Sequence, residues 1–159
     1  DVAGVRLTHP VQARAALTFL AETNPGSVAE VVTARAAAVD AAAVGPFTAE
    51  FGGLGVFPSM EYISVVWVGL RQGHEQFTRL HEAIEPRMVD LGFDEETHEF
   101  TPHATVARMD HAGGKSLVQR QVRETDPTVG ELAVDEVRLT ESNLGPDGPE
   151  YTTRERVPL

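Results

Sequence analysis

Apolar and polar residues alternate over residues 100–108 (FTPHATVAR). Phe100, Pro102, Ala104 and Val106 fall on one face, and Thr101, His103 and Thr105 on the other. A period of two predicts a half-buried strand, because successive side chains of extended backbone point to opposite sides. Residues 14–20 repeat the alternation and predict a strand with Ala15, Leu17 and Phe19 inward. Asn24-Pro25-Gly26-Ser27 reads as a turn that can start a helix. Val28, Val31, Val32, Ala36 and Val39 then recur at helical spacing in an alanine-rich run that Gly45-Pro46 ends. Residues 47–51 alternate again, and the glycines of 52–58 (GGLGVFP) predict a bulge or a close backbone approach. After a turn at Ser59-Met60, residues 62–70 (YISVVWVGL) are a nearly continuous apolar run rich in β-branched residues, which predicts a buried strand. Phe77, Leu80, Ile84, Met88 and Leu91 follow at intervals of three or four, predicting a helix with a kink or break at Pro86 and Gly92 at its C′ position.

Residues 115–124 give a weaker helix, and residues 131–140 a strand. A turn at 144–149 (LGPDGP) leads to a polar closing strand over 151–157, expected at a sheet edge. The order β-α-β-β-α-β-α-β-β, with no linker to divide it, predicts an α+β fold with a largely antiparallel sheet. The halves echo one another, since strand, helix and strand pair follow both from Arg14 and from Phe100.

Composition narrows the picture. The 159 residues suffice for one domain with a real core or two small lobes. There is no run of eighteen apolar residues and no signal-peptide pattern, so the chain reads as soluble, intracellular and cytoplasmic. Cysteine is absent, which removes disulfides and thiolate metal sites. The six histidines are scattered without the spacing of a familiar metal motif. Net charge is −11, and Lys115 is the only lysine among thirteen basic residues. Such a surface suits either a salt-rich, halophilic cytoplasm, where carboxylate repulsion is screened, or an ordinary acidic protein. It argues against a non-specific grip on nucleic-acid backbones and leaves only a small local contact for any nucleic acid.

Candidate chemistry sits on the alternating strand. His103 and Thr105, two residues apart, share a face. An imidazole moves protons near neutral pH, and a hydroxyl beside it can hydrogen-bond an anion. On spacing alone, an exposed polar strand face that carries a histidine is the simpler reading.

Three separated stretches in order change those odds: GGLGVFPS (52–59) with VVWVG (65–69), FTPHATVAR (100–108) and SNLGPDGPEY (142–151). With them the chain resembles the 2H phosphoesterases, specifically the LigT-like RNA 2′,3′-cyclic phosphodiesterases once described as 2′-5′ RNA ligases. The resemblance runs over essentially the whole chain. It implies one domain, residues 1–159, of two pseudo-symmetric lobes with antiparallel sheets flanking a central groove and helices outside. Each lobe would supply one His-x-Thr/Ser, one imidazole serving as general base on water and the other as general acid for the leaving ribose oxygen, without metal or other cofactor. His103 and Thr105 match the second motif as catalytic residues. Arg108, on the same strand, is a further phosphate ligand to consider, although its odd separation from His103 turns it to the opposite face unless the strand twists.

The first motif departs from the pattern. Its histidine position holds Arg14, a phosphate-binding residue, and its threonine position holds Ala16. Arginine binds phosphate through a fork of donors but does not exchange protons near neutral pH. His9, five residues upstream, reads as a surface loop residue. The family normally opens with a further strand, of which at most the end is expected here, so a fragment, a misassigned start or a decayed copy are all open. The implied activity is hydrolysis of RNA 2′,3′-cyclic phosphate ends, such as those of tRNA halves, to 2′-phosphates by a monomer away from membranes, impaired by the lost motif. The alternative is a non-catalytic module that binds RNA phosphate ends or small cyclic nucleotides. Tyr62, Trp67 and Tyr151 are candidates to stack on a base, though each reads better as a core or sheet residue.

Overall fold

The computed structural model describes residues 3–9 and 13–159; the remainder of the expected N-terminal strand remnant and loop lies outside the described residues. Ten elements follow as β1 (Val5–Leu7), α1 (Val28–Ala42), β2 (Phe47–Pro58), β3 (Ile63–Gln72), α2 (His74–Asp90), β4 (Ala104–Met109), α3 (Lys115–Glu124), β5 (Thr128–Val134), β6 (Glu136–Gly145) and β7 (Gly148–Pro158). The α+β reading with antiparallel sheets holds. No helix among the described residues is long and apolar enough to cross a membrane.

The chain divides into two compact units. The first comprises Asp1–Ala16, Thr48–His74 and Thr101–Leu132, and holds a five-stranded sheet of order β1-β4-β3-β2-β5. The β1/β4, β4/β3 and β3/β2 pairs are antiparallel. One sheet face packs on α3, where Ile63, Val66, Ala107 and Val118 are buried together. The expected glycine irregularity is present: Gly53 has φ +73° and the β2/β3 register shifts between Gly52 and Leu54. Positive φ is open to glycine because it has no Cβ.

The second unit comprises Leu17–Phe47, Glu75–Phe100 and Ala133–Leu159. Val31, Ala38 and Val39 of α1 meet Leu80, Ile84 and Met88 of α2 and Val137 of the β6/β7 hairpin in its core. The hydrophobic spacing of α2 thus points inward as expected, and the helix closes on Gly92 (φ +95°). There the Phe93 N–H reaches the Met88 carbonyl at 3.1 Å and the Gly92 N–H the Val89 carbonyl at 2.9 Å, which satisfies carbonyls that a helix end leaves orphaned.

Four expectations need correcting. Residues 14–20 form no strand: Ala15 alone makes an isolated bridge, to Ala104, and Phe19 is 82% exposed whereas Leu17 and Leu20 pack on the second core. The alternation fails because the Leu17 carbonyl is taken by His81 of α2 instead of by a neighbouring strand. The strand expected over 100–108 begins only at Ala104, just past Pro102, which has no N–H to give a ladder. The single strand expected over 131–140 is two, β5 and β6, separated at Asp135, whose carbonyl accepts the Leu159 N–H at 2.9 Å. Helix α2 runs unbroken through Pro86, which is exposed, and the Arg87 guanidinium donates to the Ala83 carbonyl beside the missing N–H at 2.7 Å.

Candidate functional site

Arg14, His103, Thr105 and Arg108 all belong to the first unit, the last three on or just before β4. Thr105 stands opposite Trp67 of β3, and Trp67 in turn opposite Gly55 of β2. Residues directly opposite in an antiparallel pair share a face, so Trp67, Thr105 and, two residues back, His103 project to the same side. Gly55 is small for a reason. A Cβ there would lie 2.1 Å from Trp67 Cζ2, because the indole lies across the β2 backbone.

Two aromatic rings bracket the imidazole. Phe57 meets His103 edge-on, with centroids 5.0 Å apart, and Trp67 lies at 5.9 Å. Phe57 and Trp67 also touch each other, at 5.2 Å. The third constraint on the ring is a hydrogen bond of 2.6 Å between His103 Nδ1 and the Thr101 carbonyl. A carbonyl only accepts, so Nδ1 carries the proton, and in the neutral ring Nε2 keeps its lone pair. An imidazole fixed in that tautomer is suited to take a proton at Nε2, or to return one.

The isolated bridge sets Arg14 beside this group. Its partners, Ala15 and Ala104, are the middle residues of Arg14-Ala15-Ala16 and His103-Ala104-Thr105, so the two triplets lie side by side and antiparallel. Stepping one residue from the bridge brings the backbone of Arg14 alongside Thr105 and that of Ala16 alongside His103. On the other, apolar face, residues 13–15 roof a cavity of about 220 Å³ lined by Phe51, Val68, Ala104, Val129 and Leu132.

Arg108 corrects a fifth expectation. Its odd separation from His103 predicts the opposite face, but the β3/β4 register shifts between Val66 and Trp67, with Val66 opposite Ala107 and Val65 opposite Arg108. Val106 is the extra residue of a β-bulge, and an extra residue reverses the parity of all that follow it. Ala107 is therefore buried under α3, and Arg108 faces the side of Val65, Trp67 and Thr105. Arg6, directly opposite Arg108, is neutralised by Asp110 at 3.1 Å. His9 is exposed and outside any strand. Among the described residues no group of three or more His, Asp or Glu side chains is arranged to hold a metal.

One face thus presents an imidazole, a hydroxyl and the Arg108 guanidinium, with Arg14 on the segment bridged to it, on a protein of net charge −11. Arginine forks and a hydroxyl match the oxygens of a phosphate, and the imidazole adds proton transfer. The Trp67 and Phe57 bracket was not read from the sequence as support for His103; its signal was the pair of glycines, Gly55 and Gly69, that make room for the indole.

A family profile described as the 2′-5′ RNA ligase superfamily matches residues 14–146. The chain belongs to this superfamily. Among superfamily relatives, a protein of Aeropyrum pernix named RNA 2′,3′-cyclic phosphodiesterase is 37% identical over 108 residues, which cover 67% of this chain and 61% of that protein. One of the same name from Methanothermobacter thermautotrophicus is 36% identical over 111 residues, 69% of this chain and 59% of that protein. The chain thus spans about three fifths of the length of these two relatives. A third, from Archaeoglobus fulgidus, is 30% identical over 152 residues, 94% of this chain and 81% of that protein. Among solved structures, TT0787 of Thermus thermophilus superposes with TM-score 0.79 at 25% identity, covering 99% of this chain and 83% of that one. E. coli LigT complexed with 3′-AMP superposes with TM-score 0.77 at 21% identity, covering 98% and 82%, and shows the shared fold.

Proposed function

We propose that the superfamily member described above hydrolyses RNA ends carrying a 2′,3′-cyclic phosphate, leaving a 2′-phosphate and a free 3′-hydroxyl. The observation that carries this reading is the Ala15–Ala104 bridge, which lays Arg14 alongside His103 and Thr105. The names of the relatives, RNA 2′,3′-cyclic phosphodiesterase, support the same chemistry.

In the proposed reaction Arg14, Arg108 and the Thr105 hydroxyl hold the phosphate oxygens and draw charge from phosphorus. Water forms the new P–O bond as the bond from phosphorus to the ribose O3′ breaks. His103 Nε2 carries one of the two proton transfers, removing a proton from the attacking water or supplying one to O3′. Solvent carries the other, because Arg14 stands where a second imidazole would act. Loss of one acid–base partner lowers a rate by about 10²–10⁴, so slow turnover is expected. Substrate contact is local, as the overall negative charge opposes binding along an RNA backbone; the ends of tRNA halves fit that description. The acidic, arginine-rich composition fits a monomer working in a salt-rich cytoplasm. One observation favours a second reading, a module that binds phosphate ends without turnover: Arg14-Ala15-Ala16 offers neither a second imidazole nor a second hydroxyl.

The test is hydrolysis of a short RNA ending in a 2′,3′-cyclic phosphate, at low and high salt, by the natural chain, His103→Ala and the double variant Arg14→His/Ala16→Thr. Turnover that vanishes in His103→Ala and rises in the double variant supports the enzyme. Turnover that survives His103→Ala refutes the assignment of His103. Binding without turnover in the natural chain, with activity in the double variant, favours the binding module.

A further inference from the structure

His81 on α2 touches the chain at two places that flank the candidate site in sequence. Its Nδ1 lies 2.7 Å from the Leu17 carbonyl, and its ring stacks on Phe100 with centroids 4.1 Å apart and planes 8° from parallel. Leu17 is the third residue after Arg14, and Phe100 the third before His103. All three contacting residues belong to the second unit, and the chain passes from that unit into the first just beyond each contact.

Neither passage is secured by a strand ladder. The first triplet has the one bridge at Ala15, and β4 starts only at Ala104. His81 is half-buried, and a carbonyl that it satisfies has no strand partner to turn to. A single imidazole therefore ties down both segments as they approach each other. We propose that His81 is a positioning residue, which sets Arg14-Ala15-Ala16 against His103-Ala104-Thr105 by gripping the chain on the far side of each. The proposal rests on the reading of those triplets as the phosphate site, and it assigns His81 no contact with substrate.

The two contacts separate by substitution. In His81→Asn the side-chain amide takes the place of Nδ1–H and keeps the bond to Leu17; in His81→Phe the stack on Phe100 stays and the donor goes; His81→Ala loses both. With the cyclic-phosphate RNA as substrate, His81→Ala should lower kcat between about tenfold and a hundredfold with KM little changed, as expected for misplaced catalytic groups. His81→Asn and His81→Phe should each recover part of the loss. Backbone amide NMR signals of residues 14–16 and 103–105 should shift in His81→Ala, those of 14–16 returning in His81→Asn and those of 103–105 in His81→Phe. A lowered melting temperature with kcat per folded molecule unchanged would make His81 merely structural and overturn the proposal. If the natural chain turns over no substrate, the functional reading fails instead, and the NMR comparison still decides: unmoved signals at both triplets in His81→Ala overturn the positioning role.

Discussion

Gly55→Ala tests the packing that supports His103. The added methyl would sit 2.1 Å from Trp67 Cζ2 and 2.3 Å from Cη2, whereas non-bonded carbons rest at about 3.5–4.0 Å. The indole must therefore retreat by about 1.5 Å, much more than a well-packed site absorbs by small adjustments. Its room is limited on one side by Phe57, at 5.2 Å between centroids. Overpacking of this kind costs about 1–3 kcal/mol. Spoiling the Trp67–Phe57 contact adds about 0.5–1.5 kcal/mol, and replacing a strand glycine by alanine returns about 0.5–1 kcal/mol. The net expectation is a loss of about 2 kcal/mol. Urea unfolding of Gly55→Ala, Trp67→Leu and the double variant measures it. With the indole gone the methyl has space and only the strand gain remains, so Gly55→Ala should stabilise by about 0.5–1 kcal/mol in the Trp67→Leu background. The coupling between the two changes should then be about 3 kcal/mol. Equal costs in both backgrounds would refute the placement of Trp67 over Gly55, and with it the bracket around His103.

Arg35 of α1 is 4% exposed, and none of its three guanidinium nitrogens has a hydrogen-bond partner among the described residues. Desolvation lowers its pKa against a smaller opposing pull from Glu155, so Arg35→Met should be neutral or stabilising by up to about 4 kcal/mol in chemical denaturation, and a clear loss would show the guanidinium to be paired in solution. Glu141 of β6 is held below the usual carboxylate range by its hydrogen bond from Arg154 across the hairpin, with Asn143 second. A depressed folded pKa stabilises above the unfolded value of about 4.3 and is lost as pH falls through the folded value. The stability gap between the natural chain and Glu141→Gln should therefore hold at neutral pH, narrow in acid and shrink in high salt; a gap that ignores pH would contradict the pairing.

What the sequence made legible was whatever a single segment decides alone. The spacing of Phe77, Leu80, Ile84 and Met88 suffices to turn one face of α2 inward, because the helix supplies its own hydrogen bonds. Gly92 follows from the same logic, as the φ of +95° that ends the helix is a local demand. The glycines of 52–55 announced a close approach, although nothing local could say that the approaching group would be Trp67. Residues 14–20 show the opposite case. Their alternation is as good as that of a strand, yet Leu17 finds its partner in a helix more than sixty residues away, and Phe19 turns out to solvent.

The same distinction runs through the site. His103 and Thr105 are two residues apart on one extended segment, so their shared face follows from the backbone period. Arg108 and Arg14 join them only through pairing partners. The bulge at Val106 exists because β3 and β4 fall out of step between Val66 and Trp67, a mismatch that no count along β4 reveals. Arg14 is aligned by one bridge, at Ala15, in a stretch that makes no other among the described residues. A parity argument is only as good as the assumption that no residue is inserted, and bulges collect where side chains must be re-aimed. At Val106 that re-aiming turns a guanidinium from the face covered by α3 to the face of the imidazole, so the irregularity that defeats the sequence pattern is the one that brings Arg108 to the proposed phosphate face.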